Sequence, residues 1–309
     1  MPHQIRNRLA VIDLGSNTFH LLVVDLDDGG SDFQEIYRRR EYVYLAQSGI
    51  AELSGQAMVR GHKCLASFVS KANELGCFRI MAVGTSAIRT ASNGRQFTTK
   101  VSQDLGLTID VISGEREAEL IFKGVTSYLD PPLRNYNLLI DIGGGSVELI
   151  LTQDSTMIKY WSIDCGISVI RNVWQRADPP TETDIHNFKK WMSPFFQDLL
   201  PVFKSHRIEN IVGASGPFEI IESYYDMEPN AKGNPIGIES AQKVIDQVVD
   251  SNLASRKKIN GMAESRYDLS MESMLLLDYF ISLLSEPQKL IITGYALKEG
   301  VIAESLNLD

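Results

Sequence analysis

The chain has 309 residues, 44% hydrophobic and 22% charged, a balance that excludes disordered and fibrous classes and leaves room for about two domains. A formal net charge of −9 argues against nucleic acid as a partner held by a global basic field, but a local cluster of N–H groups, arginines and metal can still take an anionic substrate. No apolar run approaches the length of a membrane span, no signal-peptide pattern opens the chain, and Cys64, Cys77 and Cys165 are too widely spaced for a zinc site or a disulfide framework. The expectation is a cytoplasmic protein with reduced thiols and no membrane partner.

Residues 9–25 read as a buried strand from Leu9, Asp13 at its end, a turn carrying Gly15, and a second apolar strand. Ser16, Asn17 and Thr18 supply short polar groups at that turn, which ordinary turn chemistry also favours. Phe33 to Leu45 reads as two further strands around Arg38, Arg39 and Arg40, a basic run of the kind that is usually a solvated face. Helical periodicity then runs over 57–75 through Leu65, Phe68 and Ala72, with Gly76 in the capping position.

Arg79 to Val83 is a buried strand, followed by a small-residue turn and Arg89, whose planar fork suits phosphate oxygens at a strand end. Asn93 and Gly94 open another helix, and Thr108 to Ile112 is a strand. Ser113 or Gly114 can cap the helix that follows. Its acidic first turn, with Glu115, Glu117 and Glu119, complements the helix dipole, yet any one of these carboxylates could also align a water.

The segment 138–150 repeats the logic of residues 9–25. Leu138 to Ile140 end in Asp141, the chain turns through Gly143, Gly144, Gly145 and Ser146, and Val147, Leu149 and Leu151 resume an alternating pattern past Glu148. Three glycines let several N–H groups point at one anion without obstruction. Asp141 is placed to hold a hydrated divalent cation against a phosphate. An ordinary glycine-rich hairpin gives the same local pattern, so the presence of two such hairpins carries the weight. Together they suggest a duplicated fold whose halves face each other across a cleft.

Met157 to Ile163 extends the second sheet, and a helix begins near Cys165. Asp178, Pro179 and Pro180 stop it, and Thr181 with Asp184 forms a capping pair for the next helix, whose Phe188, Trp191, Phe195, Phe196 and Phe203 are expected to pack in the core. Ile208 to Val212 is a strand, a helix runs through Tyr224, a buried helix ends near Leu284, and Leu290 to Ile292 precedes the terminal helix. The basic segment from Ala254 to Lys258 is read as a solvated face.

The motifs SNTFHLLV (16–23), VGTSAIRTASNG (83–94), ISGEREAELIFKGV (112–125), LLIDIGGGSVELI (138–150) and VGASG (212–216), in this order and spacing, resemble the exopolyphosphatase/guanosine pentaphosphate phosphatase family. The resemblance covers nearly the whole chain in the short, two-domain form of that family. It implies an α/β fold of two ribonuclease-H-like domains of the actin-like ATPase superfamily, with an interdomain cleft. The first domain would span 1–124 and the second 125–309, with the helix at 297–309 packing back on the first.

The resemblance further implies that Glu117 is the catalytic base and that Glu148 contributes to the water and metal environment. Asp141 and Asp13 would attend Mg²⁺ or another divalent cation. Ser16, Asn17, Thr18, Arg89, Gly143, Gly144, Gly145 and Ser146 would meet phosphate, together with Gly213, Ser215 and Gly216 of the later loop. The implied activity is hydrolysis of terminal phosphoanhydride bonds in inorganic polyphosphate or guanosine pentaphosphate. A homodimer is one way to supply a groove for a polymer.

Ala214 and Pro217 stand where the family usually has threonines, and the segment from Arg266 to Glu272 lacks a common Pro-Gly pair; both bear on substrate choice. The same superfamily fold serves small-molecule kinases that use ATP and nucleotide-gated filament proteins, the two alternatives to a hydrolase.

Overall fold

The computed structural model describes residues 7–27 and 32–306. Its strands are β1 (Arg8–Leu14), β2 (Thr18–Leu26), β3 (Phe33–Tyr42), β4 (Arg79–Gly84), β5 (Ile109–Val111), β6 (Tyr136–Ile142), β7 (Val147–Gln153), β8 (Thr156–Ile163), β9 (Ile208–Ala214), β10 (Asn234–Gly237) and β11 (Lys289–Thr293). The helices begin with α1 (Gly55–Glu74), α2 (Ser86–Thr90), α3 (Gly94–Leu105), α4 (Gly114–Thr126), α5 (Ile167–Val173) and α6 (Glu182–Met192). They continue with α7 (Leu200–Ser205), α8 (Gly216–Tyr224), α9 (Ile238–Val249), α10 (Leu253–Arg256), α11 (Ser270–Ser282) and α12 (Leu297–Ser305). None of the described helices is long and apolar enough to cross a membrane.

The chain divides into two compact units, one running to Ser127 and taking back the segment from Leu297, the other Tyr128–Ala296. The first holds a sheet in the order β3-β2-β1-β4-β5, the second a sheet in the order β10-β11-β9-β6-β7-β8. In the first, β1, β2 and β3 are antiparallel neighbours while β4 and β5 run parallel to β1. In the second, β6, β7 and β8 are antiparallel and β9 and β11 continue in parallel from β6. Reading outward from β1 and from β6, the two sheets match, and β10 is an added edge. Each is the ribonuclease-H-like arrangement, so the α/β fold is a duplication.

Alternation along the strands decides what each face meets. Ala10, Ile12 and Leu14 of β1 join Phe19, Leu21 and Val23 of β2 in a core with Leu65 and Phe68 of α1 and Phe97 of α3. The opposite face carries Val11, Asp13, His20 and Leu22, which are paired across the same two strands. α1 starts where Ser54 accepts the Ala57 N–H and is followed by Gly76 at φ +75°, a left-handed position that favours glycine. In the second unit α11 is buried from Ser270 to Leu277 with Tyr279 and Phe280, a helix apolar on most sides at the centre of the larger core.

α6 opens with the expected capping box: Thr181 accepts the Asp184 N–H, and Asp184 accepts the Thr181 N–H at 2.8 Å. Thr181→Ala leaves the Asp184 N–H without its acceptor and should cost about 1 kcal/mol, read as a lower midpoint in urea with an unchanged slope.

Three expectations are corrected. Phe33 to Leu45 holds one strand, not two. After Tyr42 the chain leaves the ladder because Tyr44 takes φ 49° and the backbone of Val43, Tyr44 and Ala46 is spent on the Ser16–Asn17 turn. The segment Ala254 to Lys258 is not wholly a solvated face, since Arg256 is buried, donating to Asp178 at 2.6 Å and to the Ser251 carbonyl at 2.8 Å. Phe195 is exposed, stacked edge-on against Trp191, while Phe188, Phe196 and Phe203 are buried as expected.

Candidate active site

In the second unit the register sets Asp141 opposite Glu148 and Ile142 opposite Val147, leaving Gly143 to Ser146 as the turn. The Gly143 N–H closes it on the Ser146 carbonyl at 3.0 Å. The carbonyls of Gly143, Gly144 and Gly145 accept from the N–H groups of Ile167, Ser168 and Gly166 at 3.0, 2.8 and 3.0 Å. Gly166 must be glycine for this, because a Cβ there would stand 2.6 Å from the Gly143 and Gly144 backbone. The carbonyl side of the turn is therefore spent on the start of α5. Among the described residues the N–H groups of Gly144, Gly145 and Ser146 donate to nothing. Adjacent unspent donors of this kind form an anion-binding concavity.

The first unit repeats the turn. Gly15 N–H donates to the Thr18 carbonyl at 3.0 Å, and Asp13 lies opposite His20 as Asp141 lies opposite Glu148. Here too the carbonyl side is occupied: Ser16 O accepts from Ala46, and Asn17 O accepts from Val43 and Tyr44, at 2.8–3.0 Å. Ser16 is buried and its N–H donates to no described group. His20 lies 2.9 Å from Thr18 Oγ1 through Nε2, and burial, aided by Lys298, Arg40 and Arg38, pushes its pKa well down, so it is neutral at pH 7. Burial raises the Asp13 carboxyl to about 6 against the pull of Lys298, with Glu299 adding to the rise.

Asp141 accepts a hydrogen bond from Ser215 Oγ. The loop that delivers this serine is strained, with Ser215 at φ 63° followed by Gly216 at φ +52°. A Cβ on Gly216 would stand 2.9 Å from the Ile142 carbonyl, so glycine lets the loop close on the end of β6. Gly213 serves packing: the Phe218 ring fills the space where its Cβ would be. Pro217 occupies the first turn of α8, where no N–H is needed, and Ala214 pairs in register with Asp141. Arg266 reaches the Gly216 carbonyl at 3.4 Å and pairs with Glu219.

Burial separates the three glutamates that the sequence left equivalent. Glu115 is exposed, Glu119 is half-buried and paired with Arg116 at 3.1 Å, and Glu117 is buried. Ser113 caps α4 by accepting the Arg116 N–H, which fixes the turn that carries Glu117. Arg89 Nη1 donates to Glu117 Oε2 at 2.8 Å and to the Ile112 carbonyl at 3.1 Å. Arg89 thus orients a carboxylate and is anchored itself, a role the sequence did not suggest.

Glu148 is buried, 1% exposed, and accepts from Ser162 Oγ at 2.9 Å. Among the described residues no group of three His, Cys, Asp or Glu side chains gathers to hold a metal. The oxygen donors fit a hard cation only through phosphate: Asp141 is half-buried at a strand end, and a cation there would take its other ligands from phosphate oxygens and water, as Mg²⁺ commonly does.

Lys298 and Glu299, which bear on Asp13, went unnoticed in the sequence. A charged pair at a helix start reads as a surface first turn, and nothing local marks Glu299 as the buried partner of Arg38 at 3.0 Å.

A model of the Ppx/GppA phosphatase family matches residues 22–308. A Vibrio vulnificus (strain YJ016) protein named guanosine-5'-triphosphate,3'-diphosphate pyrophosphatase is 32% identical over 305 residues, which cover 96% of this chain and 59% of that relative's length. The crystal structure of an exopolyphosphatase from Cytophaga hutchinsonii ATCC 33406 superposes with a TM-score of 0.90 at 28% identity, over 97% of this chain and 98% of that one. The Aquifex aeolicus Ppx/GppA family member shares the fold, with a TM-score of 0.80 at 23% identity over 97% and 98% of the two chains. With the family model spanning nearly its full length, the chain belongs to the Ppx/GppA phosphatase family.

Proposed function

We propose that the protein hydrolyses terminal phosphoanhydride bonds, releasing orthophosphate from inorganic polyphosphate or converting guanosine pentaphosphate to the tetraphosphate. The observation that carries this is the glycine turn at 143–146, whose unspent N–H groups can receive the oxygens of a phosphate. The names of two relatives, an exopolyphosphatase and a guanosine-5'-triphosphate,3'-diphosphate pyrophosphatase, favour the same bond type.

In this reading Ser16, Asn17 and Thr18 hold phosphate in the first unit, and Gly143 to Ser146 with Ser215 and Gly216 hold it in the second. Glu117, oriented by Arg89, accepts a proton from the attacking water, whose oxygen bonds to phosphorus as the bridging oxygen leaves. Asp141, held by Ser215, is the residue that would keep a divalent cation, with Asp13 the candidate in the first unit and Glu148 on the water side. When bound, the cation neutralises phosphate charge.

Phosphate release is the test, measured with Mg²⁺ over polyphosphates of several lengths and guanosine pentaphosphate, and with ATP plus acceptor alcohols. Release from the first two without an acceptor is the expected result. Phosphate transfer from ATP that needs an acceptor would assign the chain to the kinase class.

A further inference from the structure

Around Asp13 the first unit gathers charged side chains that have no part in the roles above. Across β1, β2 and β3 the register sets Asp13 opposite His20 and His20 opposite Arg40, with Arg38 two residues before Arg40 on the same face. α12 packs against β1 and α4. Its position is fixed at three points. Glu299, fully buried, pairs with Arg38 at 3.0 Å; Gly300 lies so close to α4 that a Cβ would stand 1.8 Å from the Leu120 carbonyl; and Glu304 pairs with Arg116. α12 therefore cannot rotate to release a buried side chain.

Next to Glu299 stands Lys298, 7% exposed. Among the described residues no carboxylate lies within ion-pair distance of its ammonium and no group accepts a hydrogen bond from it. The stem of Lys298 is covered, but its nitrogen is not among the buried side-chain atoms left without a partner, so the ammonium reaches solvent and is open to an incoming anion. Glu299 pairs with Arg38, His20 is neutral, and Asp13 lies within reach of the Lys298 charge. The charge of Lys298 is thus held near the strand ends beside the Gly15 turn, where the Ser16 N–H also lacks an acceptor among the described residues.

We propose that Lys298 is a phosphate-contacting residue: an anionic oxygen of the substrate's phosphate chain enters beside the Gly15 turn and takes the Lys298 ammonium and the Ser16 N–H as donors. This rests on the phosphoanhydride reading and adds to it a binding group supplied by the last helix. An ammonium suits the task, being a compact point charge on a flexible stem with three donors.

Titration calorimetry of the full chain with tripolyphosphate in EDTA tests this without turnover, alongside thermal melting, for the wild type, Lys298→Met and Lys298→Arg. Lys298→Met should weaken tripolyphosphate binding about tenfold or more with a melting temperature close to the wild type, because the methionine keeps the covered stem and no ion pair is lost. Lys298→Arg should recover most of the affinity. Wild-type affinity in Lys298→Met, or a loss of affinity in both variants together with a lower melting temperature, would overturn the proposal. Phosphate release by the wild type is measured separately with Mg²⁺; its absence would sink the hydrolase reading while the EDTA titration still decides whether Lys298 binds a phosphate chain.

Discussion

Glu117→Gln should lower turnover by about 10²- to 10⁴-fold while KM stays within about threefold, measured as phosphate release over a range of substrate concentrations. Gln keeps the shape and the hydrogen bond from Arg89 but cannot take a proton from water. Because the carboxylate is buried beside Arg89 at 2.8 Å, the substitution also leaves the guanidinium facing a neutral amide, so a modest fall in melting temperature should accompany the loss. Glu119→Gln is the matched control. Glu119 is two residues on, half-buried, and paired with Arg116, and its loss should leave turnover within about twofold.

Gly300→Ala should destabilise the protein by about 1–3 kcal/mol and lower its melting temperature by roughly 2–5 °C. The contact partner is the Leu120 backbone carbonyl, 1.8 Å from the new Cβ, and a helix backbone cannot yield as a flexible side chain can. α4 and α12 must then separate. α4 carries Glu117 and α12 carries Lys298, so turnover should fall together with stability, and calorimetric melting with phosphate release on the same sample reads both. Gly55→Ala gives the contrast: nothing lies within 4 Å of its Cβ position, at the start of α1, and the change should be neutral or slightly stabilising.

The parts of the fold legible in the sequence were those written in local chemistry. Apolar runs that end in Asp13 and Asp141 before a glycine turn announced two equivalent hairpins, and the Thr181–Asp184 spacing announced a capped helix. The matching hydrogen bonds, Gly15 to Thr18 and Gly143 to Ser146, show why the pattern recurs: one turn geometry serves both units. Tertiary pairing was not legible. Arg256 and Asp178 are distant in sequence, as are Arg38 and Glu299, and each of these arginines looks like solvated charge until its partner is known. Nor could spacing alone distinguish Glu117 from Glu115 and Glu119. That distinction is made by Arg89, which approaches one of the three from a different strand end.

If the two glycine turns and the buried Glu117 serve phosphoanhydride hydrolysis, a single-turnover measurement of phosphate release with Mg²⁺ on polyphosphate and guanosine pentaphosphate will separate the wild type from Glu117→Gln. The wild type should release orthophosphate from at least one of them, while the variant binds the same substrate and releases orthophosphate from it at least 10²-fold more slowly. Equal release by both proteins, or no release by the wild type from either substrate, would contradict it.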